Sequence, residues 1–330
     1  MSLVESIISV ANLKKYYQVH QKEVGLLGSL KSLVHRKYYD VKAVDDVSFE
    51  IKEGELVGFI GPNGAGKTTT LKVLSGLLYP TSGKVSVLGY EPFKRQAIYQ
   101  KQFALVMGQK NQLWWDLPAQ ESFILNKEIY EVSDEKYQKT LDELVDLLEV
   151  RDILKVQVRK LSLGQRMKME LIAALIHSPK VLFLDEPTIG LDVVAQKKMR
   201  DFVKSYNQKY RATIILTSHN MDDVQELCKR VIIIDQGKII FDGKLEGIVR
   251  KFADHKTLRV TLEKEVDPKK LSELGKLEEY EYPKATLSVK RKEVSETVSK
   301  LLKNFPVDDL NIEDAQIEDI IREIFVGKEI

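Results

Sequence analysis

The sequence predicts an α/β fold: a mostly parallel sheet covered by helices on both faces, with an antiparallel β addition, a helical insertion and a small α+β domain at the end. Three observations predict it. Short β-branched runs alternate with longer helical patterns through about residue 245. Several of those runs, such as VLFL, TIIL and VIII, are apolar throughout, as strands buried on both faces are. After about Phe252 the alternation gives way to a different rhythm.

The elements follow in order. Ile8–Leu13, Val44–Ile51 and Lys84–Leu88 read as strands, and turns such as KEGE and PTSGK mark the early ones as an antiparallel addition. Leu56–Ile60 is the first fully apolar strand and runs through a glycine-rich turn into a helix over Lys67–Leu77. Phe103–Met107 is the next strand. Residues from about 109 to 160 hold no obvious strand and read as a helical insertion containing the helix Tyr137–Glu149. The alternation then resumes with helix Gly164–His177, strand Val181–Leu184, helix Ala195–Tyr210, strand Thr213–Thr217 and helix Met221–Lys229. Strands Val231–Asp235 and Ile239–Phe241 and a helix over Leu245–Phe252 close the large domain, expected to span 1–245. Beyond it, TLRVTLEKEV, KATLSVK, the helix VSETVSKLLKNF, DDLNI and the helix IEDIIREIF predict a separate strand–strand–helix–strand–helix domain over 253–330.

Composition sets bounds on function. With 43% hydrophobic and 30% charged residues the chain can build a sizeable core, so wholesale disorder is not expected. Its 51 basic and 49 acidic residues give no global case for nucleic-acid binding. The single cysteine, Cys228, fits a reducing compartment and reads as a small buried hydrophobe. No apolar run approaches the roughly 20 residues of a membrane-spanning helix, and the start MSLVESIISV, with Glu5 and no basic stretch, reads as a strand. Val19–Val41 interrupts a strand pair with GLLGSLKSLVHRKYYD, carrying Lys31, His35, Arg36 and Lys37. It reads as a surface loop or short amphipathic helix, or alternatively as a contact with anionic headgroups or a partner loop.

The chemistry begins at 61-GPNGAGKT-68, which matches G-x-x-x-x-G-K-[ST] between an apolar strand and a helix. Gly61, Gly64 and Gly66 let the backbone curl its N–H groups inward into an anion nest, and Pro62, Asn63, Ala65 and Thr69 in the same stretch are further candidate nucleotide-binding positions. The helix N-terminus adds its positive end; Lys67 reaches the β- and γ-phosphates and the Thr68 hydroxyl ligates Mg²⁺. Downstream, 181-VLFLDEP-187 ends an apolar strand in two carboxylates, Asp185 placed for Mg²⁺ and Glu186 for polarising a water. A GTPase would need N-K-x-D, and the Asn126–Lys127 pair continues Glu-Ile instead. A second anion-binding arrangement, Ser162 with the Gly164 amide in 161-LSLGQRMKMEL-171, opens a helix. One chain thus carries two phosphate-binding ends and one phosphate loop, which two chains arranged head to tail across two nucleotides would use in full.

These motifs together, over roughly residues 5–245, resemble the ATP-binding subunits of ABC transporters. The resemblance implies a P-loop NTPase fold of ABC type, ATP and Mg²⁺ as ligands, and ATP hydrolysis coupled to transport. It makes GPNGAGKT the Walker A loop, Asp185 and Glu186 the Walker B pair, and LSLGQ the ABC signature, with Leu163 where glycine is common and Ser162, Gly164 and Gln165 in contact with nucleotide. Gln109 matches the Q-loop glutamine that senses Mg²⁺ and the attacking water, Asp192 the D-loop aspartate at the dimer seam, and His219 the switch histidine at the γ-phosphate. An aromatic before the Walker strand stacks on adenine in the family; Tyr17 is favoured here, with Tyr16 and Tyr39 as alternatives. The implied partners are a second ATPase subunit, as a homodimer, and an integral membrane permease, with the chain peripheral on the cytoplasmic face of the membrane. The wording of the signature-to-Walker B stretch and the small C-terminal domain resemble drug- and polysaccharide-type exporters. An importer, or a soluble ABC ATPase acting on nucleic acid or ribosomes, are the alternatives.

Both tryptophans lie in 112-QLWWDLP-118. Adjacent side chains diverge, so one indole is expected to pack the insertion against the core. The other, near Leu117 and Phe123, is expected at the surface, in the region that in the family receives the permease's coupling helix.

Overall fold

In the computed structural model the described residues are 6–21, 37–108, 110–248 and 255–314, together with Ile317, Ile320, Ile321 and Phe325. Two compact units divide the chain, Met1–Asp242 and Gly243–Ile330. Of the helix expected over Leu245–Phe252, Leu245 is a turn residue, residues 246–248 are helical and residues 249–252 lie outside the described residues.

The strands of the first unit are β1 (Ser6–Gln21), β2 (Lys37–Lys52), β3 (Leu56–Ile60), β4 (Ser82–Val87), β5 (Phe103–Met107), β6 (Val181–Asp185), β7 (Thr213–Ser218), β8 (Arg230–Asp235) and β9 (Lys238–Lys244). Six form one sheet in the order β5-β6-β7-β3-β8-β9, and the pairs from β5 through β8 are parallel. β6 and β7 are buried at every position, as parallel strands covered on both faces must be. The tight turn Gln236–Gly237, both residues at positive φ, returns β8 into β9. The antiparallel addition is the sheet β2-β1-β4.

Its hairpin is longer than expected. Val19–Gln21 and Lys37–Val41, read as part of a loop or helix, are paired strand down to Gln21↔Lys37, and residues 22–36, with Lys31, His35 and Arg36, lie outside the described residues. The runs YYQVHQ and KYYDVKAV are rich in aromatic and β-branched residues, which favour a pleated ladder. Cross-strand partners support it, with the Lys42 ammonium 5.5 Å from the Tyr16 ring centroid.

The helices are α1 (Lys67–Leu74), α2 (Ala119–Ile129), α3 (Asp134–Leu148), α4 (Leu163–Leu175), α5 (Val193–Tyr210) and α6 (Met221–Leu227). α2 was not foreseen as a separate helix inside the insertion. Caps set several starts: Ser133 for α3, Asp192 for α5, and Ser162 for α4 through a capping box with Gln165. α4 buries Met167, Met169, Leu171 and Ile172, and packs on β5 and α2. Cys228 is buried as expected, and burial raises its thiol pKa.

Just past α4, His177 is buried and stacked on Tyr130 with ring centroids 3.8 Å apart. Its Nε2 lies 3.1 Å from the Phe103 carbonyl, which only accepts, so that nitrogen carries the proton. Burial lowers its pKa from 6.5 to about 4. The unfolded chain therefore takes up a proton that the folded chain refuses. The histidine's contribution is full above pH 6.5 and is lost as pH falls to 4, about 3 kcal/mol in all. Urea denaturation across this window should show the loss, and His177→Phe should flatten it.

The second unit is a four-stranded antiparallel sheet in the order β11-β12-β10-β13, from β10 (His255–Leu262), β11 (Lys276–Glu281), β12 (Lys284–Lys290) and β13 (Val307–Asp314). With a one-turn helix at Pro268–Ser272 and α7 (Val294–Asn304), the succession is β-α-β-β-α-β, a split βαβ arrangement. Leu258, Val260, Leu287, Val289 and Leu301 form its core. The edge strand β11, KLEEYE, was missed because charges mask its pattern; only Leu277 and Tyr280 turn towards the core. In the closing segment Ile317, Ile320, Ile321 and Phe325 are helical, with Ile320 and Ile321 buried.

Candidate active site

β3 delivers the chain into the turn Gly61–Gly66 and α1. At Gly66, φ is +109° and a Cβ would fall 2.4 Å from the Ala43 carbonyl oxygen, so glycine is required twice over. Asn63, Gly64, Ala65, Gly66, Lys67, Thr68 and Thr69 line a cleft of about 630 Å³. The Lys67 side chain is buried, and its ammonium donates to the carbonyls of Gly61 (2.6 Å) and Pro62 (3.1 Å). Burial lowers its pKa while the Glu186 and Asp185 carboxylates oppose that fall.

Both carboxylates stand opposite, at the end of β6. The Thr68 hydroxyl lies 2.8 Å from Asp185 Oδ2 and 3.1 Å from Oδ1. Thr217, buried near the end of β7, holds the pair: its hydroxyl donates to Asp185 Oδ1 (2.6 Å) and accepts from the Glu186 amide (3.0 Å). Glu186 sits at φ +53°, a left-handed conformation that re-aims its side chain as the strand ends. Its Oε1 is 3.5 Å from Nδ1 of His219, which is exposed and also lines the cleft. Gly108 completes the wall. Its amide donates to the Asp185 carbonyl (2.9 Å), and a Cβ there would lie 2.1 Å from the Glu186 carbonyl oxygen.

A buried cation and loop amides thus face two carboxylates and a histidine across one cleft, which suits a polyphosphate whose terminal bond is attacked by water. Comparison with known proteins decides the family. The chain is 32% identical over 282 residues to "Uncharacterized ABC transporter ATP-binding protein MJ1023" of Methanocaldococcus jannaschii, covering 84% of this chain and 96% of that one. It is 35% identical to "ABC transporter ATP-binding protein NatA" of Bacillus subtilis, over 63% of this chain and 84% of that one. The chain belongs to the ABC transporter ATP-binding proteins. The family model described as ABC transporter matches residues 44–189, and one described as "EvrA-like ABC transporter, C-terminal domain" matches 254–313. It is also 34% identical to the "Nod factor export ATP-binding protein I" of Burkholderia orbicola, over 66% of this chain and 70% of that one. Among solved structures, "Structure of ATP binding subunit of ABC transporter" aligns with TM-score 0.61 and 25% identity, over 75% of this chain and 93% of that one. The P-loop fold expected from the motifs is therefore that of an ABC ATP-binding subunit.

In this ABC protein the remaining predicted residues stand apart from the cleft. Ser162, Gly164, Gln165 and Asp192 do not line it. Ser162 and Gln165 cap the start of α4, Asp192 caps α5, and Leu163 packs towards Gly190. Gln109 lies outside the described residues. None of the three candidate tyrosines lines the cleft. The Tyr16 hydroxyl is engaged by Asp45, which raises its pKa to about 12. Tyr17 pairs with Val41 and Val19 with Tyr39, so Tyr17 and Tyr39 share one face of the hairpin. The long hairpin makes them neighbours, where the sequence presented them as rivals.

Sequence reasoning missed Thr217, Gly108, and the cleft lysines Lys72 and Lys110. A threonine closing the apolar strand TIILTS, two residues before His219, was the available signal. It also missed Asp223, fully buried, which accepts from Thr188, from Ser218 (2.9 Å) and from Arg200 (3.1 Å). This network ties the residues after Glu186 to the strand end that carries His219.

The tryptophans correct an expectation. Neither indole is buried: Trp114 is 52% and Trp115 46% exposed, and Leu117 is exposed beside them. Leu113 enters the core instead, and Phe123 is fully buried. The segment's one inward-facing position is taken by the aliphatic side chain.

Proposed function

We propose that the chain is the ATP-hydrolysing subunit of an exporter, working as a dimer bound to separately encoded permease subunits. What carries the hydrolytic part is the convergence of Lys67, Thr68, Asp185, Glu186 and His219 on one cleft. Loop amides and Lys67 hold the β- and γ-phosphates, with the ammonium exchanging its two loop carbonyls for phosphate oxygens. Glu186 takes the proton of the attacking water, and His219 steadies the terminal phosphate. Thr68 and Asp185 suit Mg²⁺, because a hydroxyl and a carboxylate already in contact are hard oxygen donors, and that ion takes few protein ligands beside phosphate and water. When bound, Mg²⁺ would neutralise phosphate charge. Gln109 completes its surroundings by resemblance. Ser162, Gly164, Gln165 and Asp192 meet the nucleotide of the second subunit, which accounts for their distance from the chain's own cleft. Tyr17, with Tyr39 on the same hairpin face, receives the adenine.

Export is supported by the Nod factor export relatives, by "Bacitracin transport ATP-binding protein BcrA" and by "Linearmycin resistance ATP-binding protein LnrL". Among the described residues no helix is long and apolar enough to cross a membrane, so transport requires a membrane partner. The joint exposure of Trp114, Trp115 and Leu117 supports reading them as an apolar docking surface for it, and the proposal carries with it a peripheral position on the cytoplasmic face of the membrane. Trp114→Ala and Trp115→Ala should leave ATPase activity of the isolated protein unchanged and abolish its stimulation in the permease complex. Co-purification with an integral membrane protein checks the partner; stimulation that survives both substitutions rules out this docking surface.

A further inference from the structure

Nine positions, Met107 to Trp115, run from the wall of the cleft to the far end of the exposed indole pair. Met107, Gly108 and Lys110 line the cleft; Gln112 and Leu113 follow, and then Trp114 and Trp115. Residues 110–115 belong to no strand or helix, so any buried amide among them needs an acceptor from elsewhere. Glu170 of α4 supplies one. One carboxylate oxygen accepts from the Gln112 amide (2.9 Å) and the Leu113 amide (3.3 Å). One helical turn earlier, the Arg166 guanidinium lies over the Trp115 ring, 5.5 Å from its centroid.

A glutamate here is costly. It is only 4% exposed, flanked on α4 by buried Met169 and Leu171, and its second oxygen has no hydrogen-bond partner among the described residues. Burial raises its pKa, against the two amides and the charge of Arg166. An apolar residue would fill the space at less cost, but would leave both amides without an acceptor. α4 opens at Ser162, about 12 Å of helix from Glu170. The same rigid element therefore carries the signature end and the grip on the tryptophan segment.

We propose that Glu170 and Arg166 clamp the Gln112–Trp115 segment to α4, so that the signature helix and the two indoles move as one piece when nucleotide binds. Glu170 is a positioning residue in this device. The inference rests on the nucleotide-binding reading above and adds the route from nucleotide to docking surface.

The chain's two tryptophans both lie in this segment, so its tryptophan fluorescence reports on that segment alone. The full chain carrying Glu186→Gln is titrated with ATP and Mg²⁺, and binding of radiolabelled ATP is measured in parallel. The expected result is an ATP-dependent change in tryptophan emission that Glu170→Leu loses while ATP binding persists, and that Glu170→Gln, which keeps an acceptor for the amides, retains. An unchanged emission response in Glu170→Leu, or bound ATP with no response in the parent, overturns the clamp. Absence of ATP binding in the parent overturns the underlying reading instead, and the clamp with it. If Glu170→Leu does not fold, hydrogen exchange on the parent decides. ATP must alter protection of Gln112–Leu113 and the first turns of α4 together, and a change in one without the other overturns the proposal.

Discussion

Glu186→Gln is expected to lower ATP hydrolysis by about 10²- to 10⁴-fold, the usual span for loss of a general base, while ATP binding is retained. The substitution is nearly isosteric and touches neither the loop nor Lys67. The Thr217 hydroxyl bonds the Glu186 backbone amide, so the side chain stays aimed into the cleft. What disappears is a group able to take the proton of the attacking water. ATP that binds without being cleaved should also accumulate a dimer, because the bridging γ-phosphate is never removed. Phosphate release at saturating ATP and size-exclusion chromatography check the two halves. Near-normal turnover would remove Glu186 from the mechanism.

Asp223→Ala should destabilise the first unit by about 3–5 kcal/mol, the cost of breaking a buried ion pair from one side. Asp223 is fully buried, and its loss strands the Arg200 cation, itself 5% exposed, together with the hydroxyls of Thr188 and Ser218. Glu226 lies 3.0 Å from Arg200 Nε and compensates in part from a more exposed position. That cost is a large share of the 5–15 kcal/mol typical of a domain. Ser218 also accepts from the Asn220 amide, so the backbone around His219 loses its tether and activity falls with stability. Urea denaturation gives the magnitude. Removing both charges together, Asp223→Leu with Arg200→Met, should cost less than Asp223→Ala alone, because no buried charge is then left unpaired.

Much of the fold was legible because it rests on local periodicity. The runs LVGFI, VLFLD and TIILTS announce buried strands whatever surrounds them, and GPNGAGKT announces both the turn and the helix that follows. Elements lacking such a pattern were misread. β11 hides two inward residues among glutamates, and the outer half of the β1–β2 hairpin looked like an insertion because its stabilising partners lie across the ladder, in the other strand. Trp114 and Trp115 were misjudged in a similar way. Apolarity argued that one should be buried, but the position that faces inward is Leu113, and the anchoring amides of Gln112 and Leu113 are held by a residue 57 or 58 positions away.

By itself the sequence determined the residue types that the proposed chemistry uses: the phosphate loop, the paired carboxylates, the histidine after TS, and the capped helix at LSLGQ. Each is a short-range motif, because a turn, a cap or a strand end is built from adjacent residues. The tertiary structure alone decided what holds those groups in place. Thr217 joining the Asp185 carboxylate to the Glu186 amide, Gly108 admitting the close approach to Glu186, Asp223 tying Arg200 to the strand end of His219, and Glu170 gripping the tryptophan segment all join residues distant in sequence. Such contacts depend on which elements the sheet order brings together, and no local pattern records that.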